Sequence, residues 1–168
     1  MAKWRGAALV AALTMVPPSA ALSAPPTLCA PAQSTLFSCT TGADTVSVCG
    51  TADLSATSGA LQYRFGRAKP GPWVHPAEGV DWRPLTHAGT WVFSGGGGAW
   101  MAFANPPYRY IVYTAVGRGW RAKAGVVVEH SGRRVAHRRC KVAPLSELGP
   151  ALFERVGLAD DGDAFRIP

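Results

Sequence analysis

The sequence predicts an all-β protein: a small antiparallel β-barrel or sandwich stapled by disulfides, followed by a short C-terminal helix. Three observations carry this. From Thr35 onward, short runs of alternating apolar and polar residues are broken by glycine and proline every ten or so residues, the texture of antiparallel strands and tight turns. No stretch before Cys140 has the roughly 10–15-residue amphipathic period that βαβ crossovers need. Four cysteines follow an N-terminal stretch organised as an export signal, and thiols in an oxidising compartment pair.

Residues 1–23 are read as a secretory signal peptide. Lys3 and Arg5 supply the positive start, Gly6 to Val16 is an uncharged and mostly apolar stretch, and Pro17 to Ala24 offers small residues for cleavage after Ser23. The apolar stretch falls short of the roughly 20 residues that a spanning helix needs, and no later run reaches that length. The signal carries two of the 17 basic residues and none of the 10 acidic ones, so the formal charge falls from +7 to +5 on its removal. The remainder is one domain's worth of chain, enough to bury a core.

Residues 24–34 are Pro- and Ala-rich and read as an irregular segment pinned by Cys29. The β domain is predicted over 35–141. Thr35–Thr41 and Thr45–Cys49 flank a turn at Gly42-Ala43-Asp44, and Leu61, Tyr63 and Phe65 share one face of the next strand. Residues 66–88 hold four prolines and read as a long loop with one short strand at Trp73–His75. Strands follow at Thr90–Ser94, Ala99–Ala104, Tyr108–Val116, Gly125–His130 and Arg133–Lys141, with a hairpin turn at the glycine run Gly95–Gly98. Residues 142–168 form a C-terminal extension, with a short helix within Leu145–Leu158 and a solvated acidic tail at Asp160-Asp161-Gly162-Asp163.

Strand register selects among the three ways of pairing four cysteines. With a tight turn at 42–44, Cys39 lies opposite residues near Val46, and Cys49 is too far along its strand to reach it. Cys49 is then expected to join Cys29, and Cys39 to join Cys140, tying the first strand to the last and closing the sheet.

Catalytic and metal motifs are not apparent. The glycine run is followed by Ala99-Trp100-Met101 rather than the Lys-Ser/Thr of a phosphate loop. His75, His87, His130 and His137 have no zinc-ligand spacing, and no Gly-x-Ser-x-Gly elbow occurs. Glu78, Asp81 and Glu129 have nothing that marks a carboxylate pair, and the acidic tail is half a calcium loop without its closing glutamate. No catalytic residue, metal or cofactor is predicted.

Two groups of residues suggest binding. Arg133, Arg134, His137, Arg138, Arg139 and Lys141 form the strongest charge cluster, and regular alternation puts Arg134 and Arg138 on one face, a patch for an anionic envelope component or an acidic partner. The bland alternative is a charged edge that resists strand-to-strand aggregation. Nucleic acid is not expected, since no aromatic platform is interleaved with the charges. Trp91 and Trp100 read as core, whereas Trp73 and Trp82, in the Pro-rich loop, read as a contact surface.

The run Phe37-Ser38-Cys39 followed by Thr45-Val46-Ser47-Val48-Cys49, Tyr63-Arg64-Phe65-Gly66 and a late cysteine resembles a group of small exported bacterial proteins of uncharacterised function. A weaker similarity is to periplasmic inhibitors of c-type lysozyme, through Phe37-Ser38-Cys39, Cys140 and Ser58-Gly59-Ala60-Leu61-Gln62-Tyr63. That resemblance implies that Ser58 and Tyr63 reach into the lysozyme cleft. Three departures stand against it: the tyrosine is one residue too far along, the loop comes early, and the chain is longer with extra cysteines. The functional expectation is a non-catalytic binding protein of the cell envelope, periplasmic or secreted. The alternatives are a lysozyme inhibitor and a small hydrolase.

Overall fold

Ten strands and one α-helix make up the computed structural model, which describes residues 26–168; the signal peptide read over 1–23 lies outside these residues. The first sheet is built from β1 (Gln33–Thr40), β2 (Thr45–Thr51), β3 (Leu61–Gly66), β4 (Trp73–His75) and the two-residue β10 (Leu145–Ser146), in the order β10-β1-β2-β3-β4. The second is a meander of β5 (Thr86–Phe93), β6 (Gly96–Asn105), β7 (Tyr108–Gly117), β8 (Trp120–His130) and β9 (Arg133–Arg139). Every pairing between named strands is antiparallel, and the sheets stay separate. The architecture is a sandwich, not a closed barrel.

Parity assigns the faces. Phe37, Cys39, Val46, Val48, Leu61 and Tyr63 point inward from the first sheet and meet Ala99, Met101, Phe103, Val112 and Val126 of the second in one buried cluster. The helix α1 (Pro150–Val156) adds Leu152, Phe153 and Val156 to it. Pro150 opens the helix and Gly157, at φ 70°, ends it in the left-handed conformation that glycine tolerates best. On the outer face of the first sheet, the Ser38 and Ser47 hydroxyls are 2.8 Å apart, and Ser38 donates to the carbonyl of Pro26 at 2.7 Å. The segment read as irregular therefore covers that face, and buried polar groups there find partners.

The disulfides are Cys29–Cys49 and Cys39–Cys140, the pairing that strand register predicts. Cys39 stands directly opposite Val46, as the tight turn requires. One part of the expectation is corrected. Cys140 directly follows β9 in the second sheet, so this bridge joins the two sheets and does not close one.

Two further expectations change. The glycine run is not the turn: Gly96, Gly97 and Gly98 belong to β6, and Ser94-Gly95 makes the reversal. Glycine is needed along the strand because a Cβ at Gly98 would lie 2.3 Å from the Thr114 carbonyl oxygen, and one at Gly89 would lie 2.7 Å from the Trp100 ring.

The acidic tail is not loose in solvent. Asp161 donates its N–H to the Ala88 carbonyl at 2.8 Å, and the Asp160 carboxylate accepts from the N–H and hydroxyl of Thr90 and from the N–H of Gly162. The segment beyond it lies over the outer face of the second sheet. Trp91 donates to the Phe165 carbonyl at 2.7 Å, Trp100 to that of Gly162 at 3.1 Å, and the Phe165 ring is buried among Trp91, Trp100 and Tyr113. Trp91 and Trp100 are buried as expected, beneath this strap and not between the sheets.

Removing the Cys39–Cys140 bridge, whose ends are 101 residues apart, is expected to cost about 4–5 kcal/mol by loop entropy, against about 3 for Cys29–Cys49 at a separation of 20. Denaturant unfolding of the two double Cys→Ala variants should rank them in that order. The reverse ranking would show that local contacts, not loop closure, set each bridge's contribution.

Candidate binding cleft

The same parity that builds the core leaves a gap beside it. On β3, Tyr63 and Phe65 point toward the second sheet, and Trp73 pairs opposite Phe65 across β4. The facing side chains are Tyr110 on β7, Val126 and Val128 on β8, and Ala136 and Arg138 on β9. These eight residues line a cleft of about 220 Å³. Ala136 is small where its neighbours are large, which leaves room beneath the edge strand.

The aromatic wall is tightly coupled. Tyr63 and Tyr110 stack with centroids 5.5 Å apart, and Trp73 lies 4.7 Å from Tyr110 and 5.9 Å from Tyr63. His75 stacks flat on Trp73 at 5.6 Å, and its Nε2 lies 2.8 Å from the Ala104 carbonyl, which holds the ring in place from behind. Tyr63 is buried, whereas Trp73 is 41% exposed and forms a lip. Arg138 completes the mouth with its guanidinium 5.7 Å from the Phe65 ring centre, within cation–π range.

Burial pushes the Tyr63 phenol well above its ordinary range, aided by neighbouring Tyr110, and Arg138 offsets only part of the rise. Burial also raises Tyr110, against an opposing hydrogen bond from Asn105. Both hydroxyls are therefore neutral at physiological pH and can donate hydrogen bonds.

The structure redistributes the predicted site residues. Trp73 is at the surface and Tyr63 forms the cleft floor. Trp82 is corrected: it is 1% exposed, packs in the main core and donates its indole N–H to the Gly59 carbonyl at 3.1 Å. With Arg83, which donates to the Ala56 carbonyl at 2.8 Å, it fastens down the loop between β2 and β3. Ser58 lies exposed in that loop, where its hydroxyl donates to the Asp53 carbonyl at 2.6 Å and sits 2.8 Å from that of Ser55. Ser58 and Tyr63 are thus not paired on one protruding loop.

Arg134 and Arg138 do not share a face. The pairing passes from Val128↔Ala136 to Glu129↔Arg134, a bulge at Val135 that reverses strand parity. Arg138 turns inward to the cleft. Arg134 turns outward with Glu129, Arg109 and Arg139, on the side where the Tyr113 hydroxyl meets His137 Nε2 at 2.8 Å. Sequence reasoning missed Phe65, Tyr110, Val126, Val128 and Ala136. Their alternation was visible, but which strands would face one another was not.

His137 is held below the usual histidine range, chiefly by burial and then by the charges of Arg139, Arg134 and Lys123. Its neutral ring can accept the Tyr113 hydroxyl proton.

No family model, curated protein or solved structure matches the chain. The four paired cysteines are those of a protein suited to an oxidising compartment outside the cytoplasm.

Trp82→Ala should lower unfolding free energy by about 3–5 kcal/mol, as for other fully buried tryptophans. Trp73→Ala should lower it by about 1–2 kcal/mol, from lost aromatic pairs. Equal losses in chemical denaturation would contradict their assignment to core and lip. A histidine with a depressed folded value contributes stability above its unfolded value of 6.5, and that contribution fades as pH falls through the lower folded value. The stability advantage of wild type over His137→Gln should therefore be larger at pH 7.5 than at pH 5. A constant difference would exclude titration of His137 in that range.

Proposed function

We propose that this protein is a non-catalytic binding protein of the cell envelope, periplasmic or secreted, that holds its ligand in the aromatic cleft between β3–β4 and β7–β9. The single observation that carries the reading is the cleft itself: four aromatic rings and three aliphatic side chains around one guanidinium, with Trp73 standing at its mouth. Ligand sites are concave and mostly apolar with a few placed polar groups, and this lining has that composition. Its ionisable side chains are two phenols raised by burial and one arginine, so the chemistry it offers near neutral pH is contact and hydrogen bonding. Two disulfides and a segment organised for export support the location.

A neutral apolar fluorophore, N-phenyl-1-naphthylamine, tests the site. Wild type should bind it with one saturable site. Ala136→Phe, which fills the cleft, and Trp73→Ala, which removes the lip, should each weaken binding by at least about tenfold, while far-UV circular dichroism stays unchanged. Equal binding by all three proteins would place the ligand elsewhere and overturn the proposal.

A further inference from the structure

We infer that the ligand of this cleft is an amphiphilic anion: a short acyl, alkyl or aryl group bearing a carboxylate or phosphate, with its apolar part among the aromatic rings and its charge on Arg138. The inference rests on the cleft being the binding site and specifies what it takes.

The lining decides against the main competitor, a sugar. A saccharide ring carries several hydroxyls, each needing a directional partner once water is removed, and unpaired polar groups left by a misfit are heavily penalised. The cleft has mostly apolar walls, and its polar side-chain groups are two tyrosine hydroxyls, the Trp73 indole N–H and the Arg138 guanidinium, too few for the hydroxyls of a sugar ring. An apolar group needs only area, which Tyr63, Phe65, Trp73, Tyr110, Val126 and Val128 supply. The volume of about 220 Å³ suits one ring or a short chain, not an oligomeric ligand.

The charge complement comes from Arg138. Among the described residues its exposed guanidinium has no ion pair and no hydrogen bond, and no carboxylate lines the cleft. This differs from Arg64 on the outer face of the first sheet, which donates to the carbonyl of Leu28 and to Gln62. A guanidinium on an aromatic face at an apolar mouth is arranged for a planar anion, which it can grip with two parallel N–H donors. The Val135 bulge supplies the specificity of placement. Without it, alternation from Arg134 would carry Arg138 to the same face as Arg134; with it, Arg138 faces the cleft and Arg134 faces outward.

Octanoate, octyl phosphate and octan-1-ol share one chain and differ in head, so their affinities measured by calorimetry isolate the charge. The two anions should bind at least about tenfold more tightly than the alcohol. Arg138→Gln should abolish that preference, while Arg134→Gln, which removes the same charge from the opposite face, should leave it intact. A preference for octanoate over octyl phosphate would identify a fatty or aryl acid as the source, and the reverse a phosphorylated lipid. Equal binding of all three would overturn the anion inference and leave the cleft reading standing. Binding of none, together with failure of the neutral fluorophore, would overturn both. Equal loss in the two arginine variants would show attraction by net charge rather than by a site, and would also overturn the inference.

Discussion

The turn between β1 and β2 decides which side of the first sheet the side chains from Phe37 to Cys49 take. Gly42, at φ 116°, lets the chain reverse within four residues, and the Thr41 N–H donates to the Asp44 carbonyl at 2.8 Å to close it. That fixes Cys39 opposite Val46 and puts both inward with Phe37 and Val48. Cys49 then falls on the outer face, where the incoming chain crosses and Cys29 waits. A slip of one residue would exchange the faces and send each thiol to the wrong side. The two covalent ties, the inner core and the covering of Ser38 and Ser47 all rest on this one register.

The binding cleft is a product of the same geometry. Tyr63 and Phe65 are inward because β3 pairs with β2 in register, Val48 opposite Tyr63 and Val46 opposite Phe65. The core uses the Leu61–Tyr63 end of that strand, and the Phe65 end extends past it toward β4 and the edge strand β9. A sandwich with staggered sheets exposes such a corner at no loss to its centre. Here aromatic rings line the corner, and the inner positions of β9 carry alanine and arginine in place of large apolar residues. The site is where packing ends, not a cavity within it.

Much of this was legible in the sequence, because period-2 alternation and turn chemistry report local geometry. They located all the longer strands, with β5 and β8 beginning four and five residues before the expected starts, gave the disulfide pairing and set Tyr63 beside Phe65. They failed where a distant segment decides. Trp82 sits among prolines, where a side chain has no periodic partner. It is buried because the loop between β2 and β3 folds over it and needs its N–H. The bulge at Val135 leaves no mark in the pattern Arg133–Arg139, so alternation carried Arg134 to the wrong face. Asp160 and Asp161 read as solvated because acidic residues usually are, yet Phe165 and Ile167, apolar and two apart, signalled a segment with something to cover.

The connectivity Cys29–Cys49 and Cys39–Cys140 is interleaved: each bridge encloses one cysteine of the other. A chain entering an oxidising compartment from its N-terminal end presents Cys29, Cys39 and Cys49 together, with Cys140 roughly ninety residues behind. An oxidant acting on thiols in order of arrival would join Cys29 to Cys39, a pair found in neither native bridge. Correct maturation therefore demands either that the β1–β2 hairpin folds first and hides Cys39 on its inner face, or that a disulfide isomerase undoes the early mistake. Yield then rests on the speed of hairpin folding by the first route and on thiol exchange by the second.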